Sequence, residues 1–233
     1  MTARGRAPLL TLVTDRHATG GRPLPEVVAR ALAGLPGTGV DPADVAVQLR
    51  EKDLSGRSLV DLARGLRAVT AGAGVALYVN DRPDVALAVG ADGVHLGGQS
   101  LSAGEVARIA PGLAIGVSTH GLAELETARA AGGGAIAFAF FGPIHDTPAK
   151  RAFGAPLGVG ALTAAAAAID LPLIAIGGVT PPDAGALLLA GARGVACIRG
   201  ILGAPEPALA IQEFCKHLHT AAAHNRHRPV ANT

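Results

Sequence analysis

The chain has 233 residues, close to the size of one large α/β barrel domain and long for a small sandwich or helical bundle. Hydrophobic residues make up 49% and charged residues 16%, which predicts a well-filled core and argues against a disordered protein. The formal net charge is only +2, and no basic stripe alternates with aromatic residues, so nucleic acid is not an expected partner. Aromatic residues are 3% of the chain, and we therefore expect an aliphatic core.

The cysteines and the N-terminal segment indicate the cellular compartment. Cys197 and Cys215 are too few for a disulfide framework and lack the CxxC spacing of a structural zinc site, which fits a reducing compartment. Cys197 lies in an apolar run and is expected to pack as a small buried hydrophobe. The apolar stretch 9–13 is too short for a signal peptide, and no apolar run is long enough to span a membrane. We expect a soluble cytoplasmic protein.

Eight short apolar runs alternate with longer segments rich in Ala and Leu, a pattern typical of repeated βα units on a parallel sheet. In segments 58–71 and 121–132, apolar residues recur three and four positions apart, as in helices. This alternation predicts a single-domain (β/α)₈ TIM barrel. An open doubly wound sheet is the alternative, but it rarely needs eight evenly spaced units in so short a chain. The runs are 9–15, 44–51, 75–81, 93–96, 114–120, 135–143, 173–178 and 194–200.

The barrel is expected to occupy most of the chain. We predict an N-terminal extension over 1–8, the barrel over 9–222 and a disordered C-terminal tail over 223–233. The end of the chain is rich in polar residues without strong periodicity. We do not expect a functional metal site in its histidine cluster, which consists of His217, His219, His224 and His227.

Polar residues collect where the predicted strands end. The loops after the strands form the active face of this kind of barrel, so chemistry is expected there. Six of the eight runs end in this way, which is hard to explain by solubility alone. The residues are Gln48, Arg50 and Lys52 after the second run, Asn80, Asp81 and Arg82 after the third, Ser118 and His120 after the fifth, His145, Thr147 and Lys150 after the sixth, Gly177 and Gly178 after the seventh, and Arg199 and Gly200 after the eighth.

The glycine pairs predict a phosphate site. Gly177 and Gly178 end the seventh run directly before a helix start, where N–H groups and the positive end of the helix dipole can hold a phosphate. The segment around Arg199 and Gly200 gives a second such turn, and the loops after strands 7 and 8 are the usual phosphate site of this barrel. The alternative is that the glycines only form tight turns.

The opposite wall predicts a pyrophosphate and metal site. Arg50, Lys52 and Lys150 supply enough positive charge for a pyrophosphate. Asp81 beside Asn80 offers the hard oxygen ligands that suit Mg²⁺. The reaction class that fits both walls is displacement of pyrophosphate, with the metal and the cations stabilising the leaving group.

Several segments together resemble the thiamine phosphate synthase family, which includes a related group of thiazole tautomerases. They are "QLREKD" (48–53), "VNDRPDVALAVGADGVHLG" (79–97), "IGVSTH" (115–120), "GPIHDTPAK" (142–150) and "AIGGVTP" (175–181). The resemblance runs from about Leu9 to Pro207, and the set of motifs in this order is highly specific.

The resemblance implies a transferase that joins hydroxymethylpyrimidine pyrophosphate to thiazole phosphate, giving thiamine phosphate and pyrophosphate, with Mg²⁺ as cofactor. The partners are then these small molecules, without nucleic acid or membrane, and a homo-oligomer is left open. We take Lys150, Ser118 and His145 as candidate catalytic residues. The resemblance assigns Gln48, Arg50, Lys52, Asn80 and Lys150 to the pyrophosphate, Asp81 to Mg²⁺, Thr147, Gly177 and Gly178 to the thiazole phosphate, and Ser118 to the reacting centre.

Three positions depart from the family's pattern. Synthases usually have a Gln-acidic-Asp run after "VHLG", whose Asp is a second Mg²⁺ ligand, and this chain has Gly98-Gln99-Ser100. The usual Thr-x-Thr-Lys becomes Thr147-Pro148-Ala149-Lys150, which removes a hydroxyl that contacts pyrophosphate. Arg199 stands where the last strand usually has Ser, so a cation either joins the phosphate pocket or clashes with it.

The tautomerase branch is the first alternative. It needs no pyrophosphate, and it uses a His in the loop after the sixth strand to move a proton on a thiazole carboxylate phosphate. Pro143 occupies the matching position here, and His145, two residues further, is the candidate acid/base. That branch tends to lose Gln48 and Lys52. Because both are kept, we rank the synthase first.

A non-catalytic phosphate-binding barrel with a regulatory role is the second alternative, since a fold does not fix a function. The losses at Ser100 and Ala149 support it. Sugar phosphate isomerases need a catalytic set that includes a strand-end Glu. The chain offers only Glu51, which is expected to alternate away from the mouth.

Two further histidines lie near strand ends. His95 is expected to be a hydrogen-bonded residue at the end of its strand rather than a catalyst. His120 follows Ser118 by two residues and is a candidate to orient that hydroxyl. No acidic partner at a suitable spacing is evident for it, so we do not expect a nucleophile here.

Overall fold

A computed structural model describes residues 6–132, 134–147 and 155–226, and within them eight parallel strands close into one barrel. Neighbouring strands pair in chain order, and the first pairs with the eighth. This arrangement confirms the (β/α)₈ prediction and excludes the open sheet. The strands are β1 (Leu10–Val13), β2 (Val45–Leu49), β3 (Ala76–Asn80), β4 (Gly93–Leu96), β5 (Ala114–Thr119), β6 (Ile136–Phe141), β7 (Leu173–Ile176) and β8 (Gly194–Cys197).

Helices follow the strands around the outside of the barrel. They are α1 (Leu24–Leu32), α2 (Gly56–Ala73), α3 (Pro83–Val89), α4 (Ala103–Ile109), α5 (Leu122–Gly132), α6 (Gly158–Ala168), α7 (Pro181–Leu189), α8 (Arg199–Leu202) and α9 (Pro207–Arg226). The two segments with helical spacing correspond to α2 and α5. The last helix continues four residues into the predicted tail, and 227–233 lie outside the described residues.

Short polar residues and glycines set the helix ends. Ser102 and Glu105 form a capping box at the start of α4, in which the Glu105 N–H donates to Ser102 Oγ at 3.3 Å and the Ser102 N–H donates to Glu105 Oε2 at 2.8 Å. Gly90 ends α3 in the left-handed conformation, with φ of 63°. These caps determine where α4 begins and where α3 ends.

Two separate hydrophobic cores fill the structure. The outer core lies between strands and helices and is built mostly from Leu, Val, Ile and Ala, as the composition predicts. The inner core lies within the ring of strands and contains Tyr78, Phe138 and Phe140. The rings of Tyr78 and Phe138 meet edge to face, with centroids 5.3 Å apart. The expectation of an aliphatic core is therefore wrong for the barrel interior, because half of the six aromatic residues gather there.

Glycine at two strand positions makes room for these rings. A Cβ on Gly116 would lie 2.5 Å from Phe138 Cζ and 2.6 Å from His95 Nδ1. A Cβ on Gly93 would overlap the ring of Tyr78 in the same way. Large residues on one strand thus face small ones on the next, which is how a closed eight-stranded barrel fills its interior.

The cysteines are both buried and free. Burial raises the pKa of each thiol to about 11, so neither is a reactive thiolate. This confirms the prediction that Cys197 packs as a small hydrophobe. Among the helices that the structure describes, none combines the length and apolar character needed to cross a bilayer.

Candidate active site

The strand order determines which loops face each other across the mouth of the barrel. In a closed ring of eight strands, β2 and β3 lie opposite β6 and β7. The described cations, amides and carboxylate predicted to bind pyrophosphate and Mg²⁺ lie at or directly after the ends of β2 and β3, whereas the paired glycines and Thr147 follow β7 and β6. Lys150, which the resemblance assigns to the pyrophosphate wall, also follows β6 in the chain. Two predicted anion-binding walls therefore face each other, and Ser118 near the end of β5 lies between them along the ring.

A chain of side-chain hydrogen bonds joins the ends of β2 and β3. Gln48 Nε2 donates to Asn80 Oδ1 at 3.0 Å, and Asn80 Nδ2 donates to Asp81 Oδ2 at 2.6 Å. Gln48 is 2% exposed, and its Oε1 has no hydrogen-bond partner among the described residues. Because an unpaired buried acceptor is costly, this oxygen is suited to accept a donor from a bound molecule.

Asp81 has a left-handed backbone, with φ of 59°, which is uncommon outside glycine. Its Oδ1 accepts hydrogen bonds from the Gly97 N–H at 2.9 Å and from the Ser100 hydroxyl, and Lys52 Nζ lies 3.8 Å from its Oδ2. Partial burial alone would raise the pKa of Asp81. The hydrogen bonds from Ser100, Gly97 and Asn80 and the charge of Lys52 nevertheless hold that pKa below its ordinary value, so the carboxylate is ionised at neutral pH.

The surroundings of Asp81 fit a metal site with a single carboxylate. The Ser100 hydroxyl contacts Asp81 directly, at the position where the family's usual Asp supplies the second carboxylate. Within the described residues, no cluster of three His, Cys, Asp or Glu side chains could hold a metal ion by itself. Mg²⁺ usually takes one or two carboxylates together with phosphate oxygens and water. This donor set therefore suits an ion that arrives with a pyrophosphate.

The two described cations of the β2 loop are accessible at the mouth end of the barrel. Lys52 Nζ approaches Asp81 Oδ2, as given above. Arg50 directly follows the end of β2 and, together with Lys52, lines a recess at the rim of the barrel. Both cationic side chains are exposed, so an anion can reach them. Lys150, the third predicted cation, lies outside the described residues.

His95, not His120, is the partner of Ser118. His95 Nε2 lies 2.9 Å from Ser118 Oγ, and its ring packs on Phe140 with centroids 4.1 Å apart. His120 turns away to Glu124, whose Oε2 lies 3.1 Å from His120 Nδ1 and accepts the His120 N–H at 2.9 Å. The expectations that His120 orients Ser118 and lacks an acidic partner are therefore wrong, because the first turn of α5 brings Glu124 back to it. The expectation that His95 is a hydrogen-bonded residue near the end of its strand is confirmed.

The opposite wall is formed by the loop after β6 lying against the paired glycines. The His145 N–H donates to the Gly177 carbonyl at 3.0 Å. A Cβ on Gly178 would lie 2.8 Å from His145 Cβ and 3.4 Å from Thr147 Cγ2. Gly177 and Gly178 have φ of 101° and 66°. Only glycine takes this conformation at such close approach without strain, so the turn and the Thr147 loop form one surface.

The remaining candidates lie near the same wall. His145 Nε2 is 3.7 Å from Asp183 Oδ2, and Asp183 also accepts the Thr180 N–H at 2.9 Å at the start of α7. Arg199 and Gly200 are exposed at the start of α8, directly after β8, the neighbour of β7 in the ring. The geometry places all of them on the predicted face of the barrel.

The segments that build this site occur together in one known family. The profile of the family described as "Thiamine monophosphate synthase" matches residues 10–201, a range that contains all eight strands. The chain belongs to the thiamine monophosphate synthase family. This membership confirms the resemblance identified from the motifs.

Individual members of the family match the chain over most of its length. A relative from Geobacter sulfurreducens is 46% identical over 200 residues, which cover 85% of this chain and 88% of the relative. The thiamine-phosphate synthase of Roseiflexus castenholzii is 41% identical over 208 residues, covering 89% of this chain and 86% of that protein. The solved thiamine phosphate pyrophosphorylase from Pyrococcus furiosus superposes with a TM-score of 0.79 at 30% identity, covering 94% of this chain and 98% of its own. The two named relatives are synthases or pyrophosphorylases, and neither is a tautomerase.

Sequence reasoning missed the contacts made by the acidic residues of "QLREKD". Glu51 does turn away from Arg50 and Lys52, as its alternation predicts, but it is buried and contacts Arg16 in the loop after β1. The regular alternation of cations with Glu51 and Asp53 was the available signal. This alternation does not identify Arg16 as the partner, because Arg16 lies in a distant part of the chain.

Proposed function

We propose that this protein is a thiamine-phosphate synthase, which joins hydroxymethylpyrimidine pyrophosphate to thiazole phosphate and releases pyrophosphate. The observation that carries the proposal is that the residues predicted to form two anion-binding walls lie on opposite sides of one barrel mouth. Two anionic substrates held on these walls would meet over the centre of the barrel. Family membership and the synthase names of the relatives support the same activity.

The β2–β3 wall is proposed to bind the pyrophosphate of the pyrimidine substrate. Arg50 and Lys52 would stabilise the negative charge that develops on the leaving group as the carbon–oxygen bond breaks. Gln48 and Asn80, which are locked by their mutual hydrogen bond, would supply fixed polar contacts. Lys150 would add a further cation. The thiazole nitrogen would then capture the pyrimidine carbon, a step that the shared mouth favours by holding both reactants in place.

Mg²⁺ is proposed as the cofactor, held by Asp81 and by oxygens of the bound pyrophosphate. When bound, the ion would supply further neutralisation of the leaving group. The Gly97 N–H and the Ser100 hydroxyl orient the Asp81 carboxylate and keep it ionised.

The β6–β7 wall is proposed to bind the phosphate of the thiazole substrate. Thr147 and the Gly177–Gly178 turn form one surface there, and Arg199 with Gly200 would add positive charge and backbone donors from the next strand. His145 belongs to this wall, with its ring next to Asp183. Under this assignment His145 contributes to the phosphate pocket, and Ser118 is the side chain nearest the reacting centre.

A direct assay tests the proposal. Purified protein is incubated with Mg²⁺, hydroxymethylpyrimidine pyrophosphate and thiazole phosphate, and the products are separated by chromatography. We expect thiamine phosphate and pyrophosphate in equal amounts, and strongly reduced formation of both in Lys52→Ala. Stabilisation by thiazole phosphate in a thermal-shift assay without any product would instead support the regulatory barrel.

A cytoplasmic location is also proposed. Its support is the pair of buried free thiols, which suits a reducing compartment. Fractionation of cells that express the protein from its own promoter would test it, and recovery with the membrane or the exported fraction would contradict it.

A further inference from the structure

The side chains of "QLREKD" are divided between two surfaces. Lys52 approaches Asp81 at the mouth and Arg50 is exposed directly after β2, whereas Glu51 and Asp53 turn towards the loop that follows β1. All four line one shared recess at the rim of the barrel. Each cation that is proposed to bind a substrate anion is therefore next in the chain to a carboxylate that could form an ion pair with it instead.

Arg16 forms hydrogen bonds with the carboxylates of both Glu51 and Asp53. Its main-chain N–H donates to Glu51 Oε1 at 3.1 Å and to Glu51 Oε2 at 3.2 Å, and its guanidinium donates to Glu51 Oε2 at 3.1 Å. The guanidinium also forms a two-bond fork with Asp53, at 2.6 Å and 2.5 Å. The fork matches the geometry at which arginine and a carboxylate bind most specifically.

Because Glu51 is buried, loss of its contact with Arg16 would be costly in stability. The Glu51 side chain is 2% exposed, whereas that of Asp53 is 57% exposed. A buried carboxylate must be paired, and removal of its partner is far more costly than loss of a surface ion pair. In the absence of the Arg16 guanidinium, the Arg and Lys side chains that share the recess with Glu51 are its chain neighbours Arg50 and Lys52.

The backbone of the segment is tied to the same loop. The Thr14 N–H donates to the Gln48 carbonyl at 2.9 Å, and the Arg50 N–H donates to Thr14 Oγ1 at 2.8 Å. The segment is thus attached to the end of β1 at alternate residues, through the main chain at Gln48 and Arg50 and through the side chains at Glu51 and Asp53. Among the described residues, neither Arg50 nor Lys52 is attached to this loop through its side chain.

We infer that Arg16 is a positioning residue for the pyrophosphate site: it holds Glu51 and Asp53 so that Arg50 and Lys52 stay available to the anion. This inference rests on the proposed function, because it assumes that the β2 cations bind pyrophosphate. Arg16 acts through Arg50 and Lys52, and no contact between Arg16 and the substrate is implied.

The test measures binding of two inorganic probes by titration calorimetry, pyrophosphate for the β2–β3 wall and phosphate for the β6–β7 wall. In Arg16→Gln we expect pyrophosphate to bind about tenfold more weakly, equivalent to about 1.4 kcal/mol. We expect phosphate binding to the paired-glycine turn to be unchanged, because that wall lies across the barrel.

A matched control separates this effect from loss of stability. Arg67 NH1 donates to Asp92 Oδ2 at 2.6 Å, in a half-buried ion pair that precedes β4 and so lies at the opposite end of the barrel from the mouth. Arg67→Gln is expected to lower the melting temperature by an amount similar to that in Arg16→Gln, yet to leave pyrophosphate binding unchanged.

A second variant tests the competition itself. Arg16→Gln combined with Asp53→Asn removes one of the two competing carboxylates and should recover part of the lost pyrophosphate affinity. The second substitution restores no contact between the segment and the loop after β1, so a recovery would be due to the removed carboxylate. Unchanged pyrophosphate binding in Arg16→Gln, or an equal loss in Arg67→Gln, would overturn the inference and leave the proposed function intact. Failure of the unsubstituted protein to bind pyrophosphate would overturn both.

Discussion

His95 Nε2 lies 2.9 Å from Ser118 Oγ, and this pair connects the interior of the barrel to the candidate active site. Burial lowers the pKa of His95 to about 3, so the ring is neutral at physiological pH. Its Nδ1 is buried and has no partner among the described residues. A buried N–H without an acceptor is rarer than an unpaired acceptor, which favours the tautomer protonated at Nε2. His95 then donates to Ser118, and the Ser118 hydrogen is left to point towards a substrate.

The first prediction compares His95→Gln with His95→Asn. A Gln amide nitrogen reaches approximately the place of Nε2, whereas an Asn amide reaches approximately that of Nδ1. We therefore expect His95→Gln to keep about fivefold more synthase activity than His95→Asn, since about 1 kcal/mol is typical of one hydrogen bond. Steady-state kinetics with both substrates checks this, and melting temperatures show whether the two variants are equally folded. Equal activities would mean that the Nε2–H bond does not orient Ser118.

The second prediction concerns the stability of the protein at acid pH. The unfolded chain binds a proton at His95 below about pH 6.5, whereas the folded chain does so only near pH 3. The unfolding free energy should therefore fall as the pH is lowered from about 6.5 towards 3, and the contribution of His95 at pH 5 is about 2 kcal/mol.

Denaturant unfolding at pH 7 and pH 5 measures this contribution. The control is His95→Gln, which has no group to titrate at this position and should lose about 2 kcal/mol less than the unsubstituted protein between the two pH values. If both proteins lose the same amount, His95 does not carry a depressed pKa.

The third prediction tests the packing inside the barrel. Gly116→Ala places a methyl group against Phe138 and His95, both enclosed by the strands. Overpacking of this kind typically costs about 1–3 kcal/mol, and we expect a fall in unfolding free energy of that size. Gly72→Ala is the matched control, because an added Cβ there meets nothing within 4 Å and the residue lies inside α2. It should be neutral or stabilising. A neutral Gly116→Ala would show that the interior has spare room.

The sequence predicted the fold well because strand-forming runs and their spacing are local properties. Each of the eight runs contains an observed strand, and the strand β4 coincides with its run. The aromatic interior was missed because composition does not tell which face of a strand a residue occupies. Aromatic residues are few, but the rings of Tyr78 and Phe138 meet inside the barrel, where Gly93 and Gly116 leave space for them.

The sequence was less informative about the contacts within the site. Strand ends identified Gln48, Asn80 and Asp81, because a parallel barrel brings such ends together whatever the details of packing. The partner of Ser118 could not be derived in the same way. His120 is closer in the chain, but the strand register pairs His95 of β4 with Gly116 of β5. Ser118, two residues further along β5 on the same face, then comes within reach of His95, and register is a property of the closed barrel.

The fourth prediction concerns the metal site. Ser100 contacts Asp81, so Ser100→Asp places a second carboxylate beside the first. We expect the affinity for Mg²⁺ to rise, and the Mg²⁺ concentration that gives half-maximal activity to fall, because two carboxylates satisfy the ion better than one. Without metal, repulsion between the two carboxylates should lower the melting temperature, and added Mg²⁺ should restore it.

Ser100→Asn is the matched control for this change, since its side chain has nearly the same shape and no charge. We expect Ser100→Asn to lose the hydroxyl contact with Asp81 without any gain in Mg²⁺ affinity. Calorimetric titration with Mg²⁺ and pyrophosphate, in the absence of the other substrate, separates metal binding from turnover. Identical Mg²⁺ titrations of the two variants would contradict a metal site at Asp81, and the cations of the β2 loop would then be the main means of stabilising the leaving group.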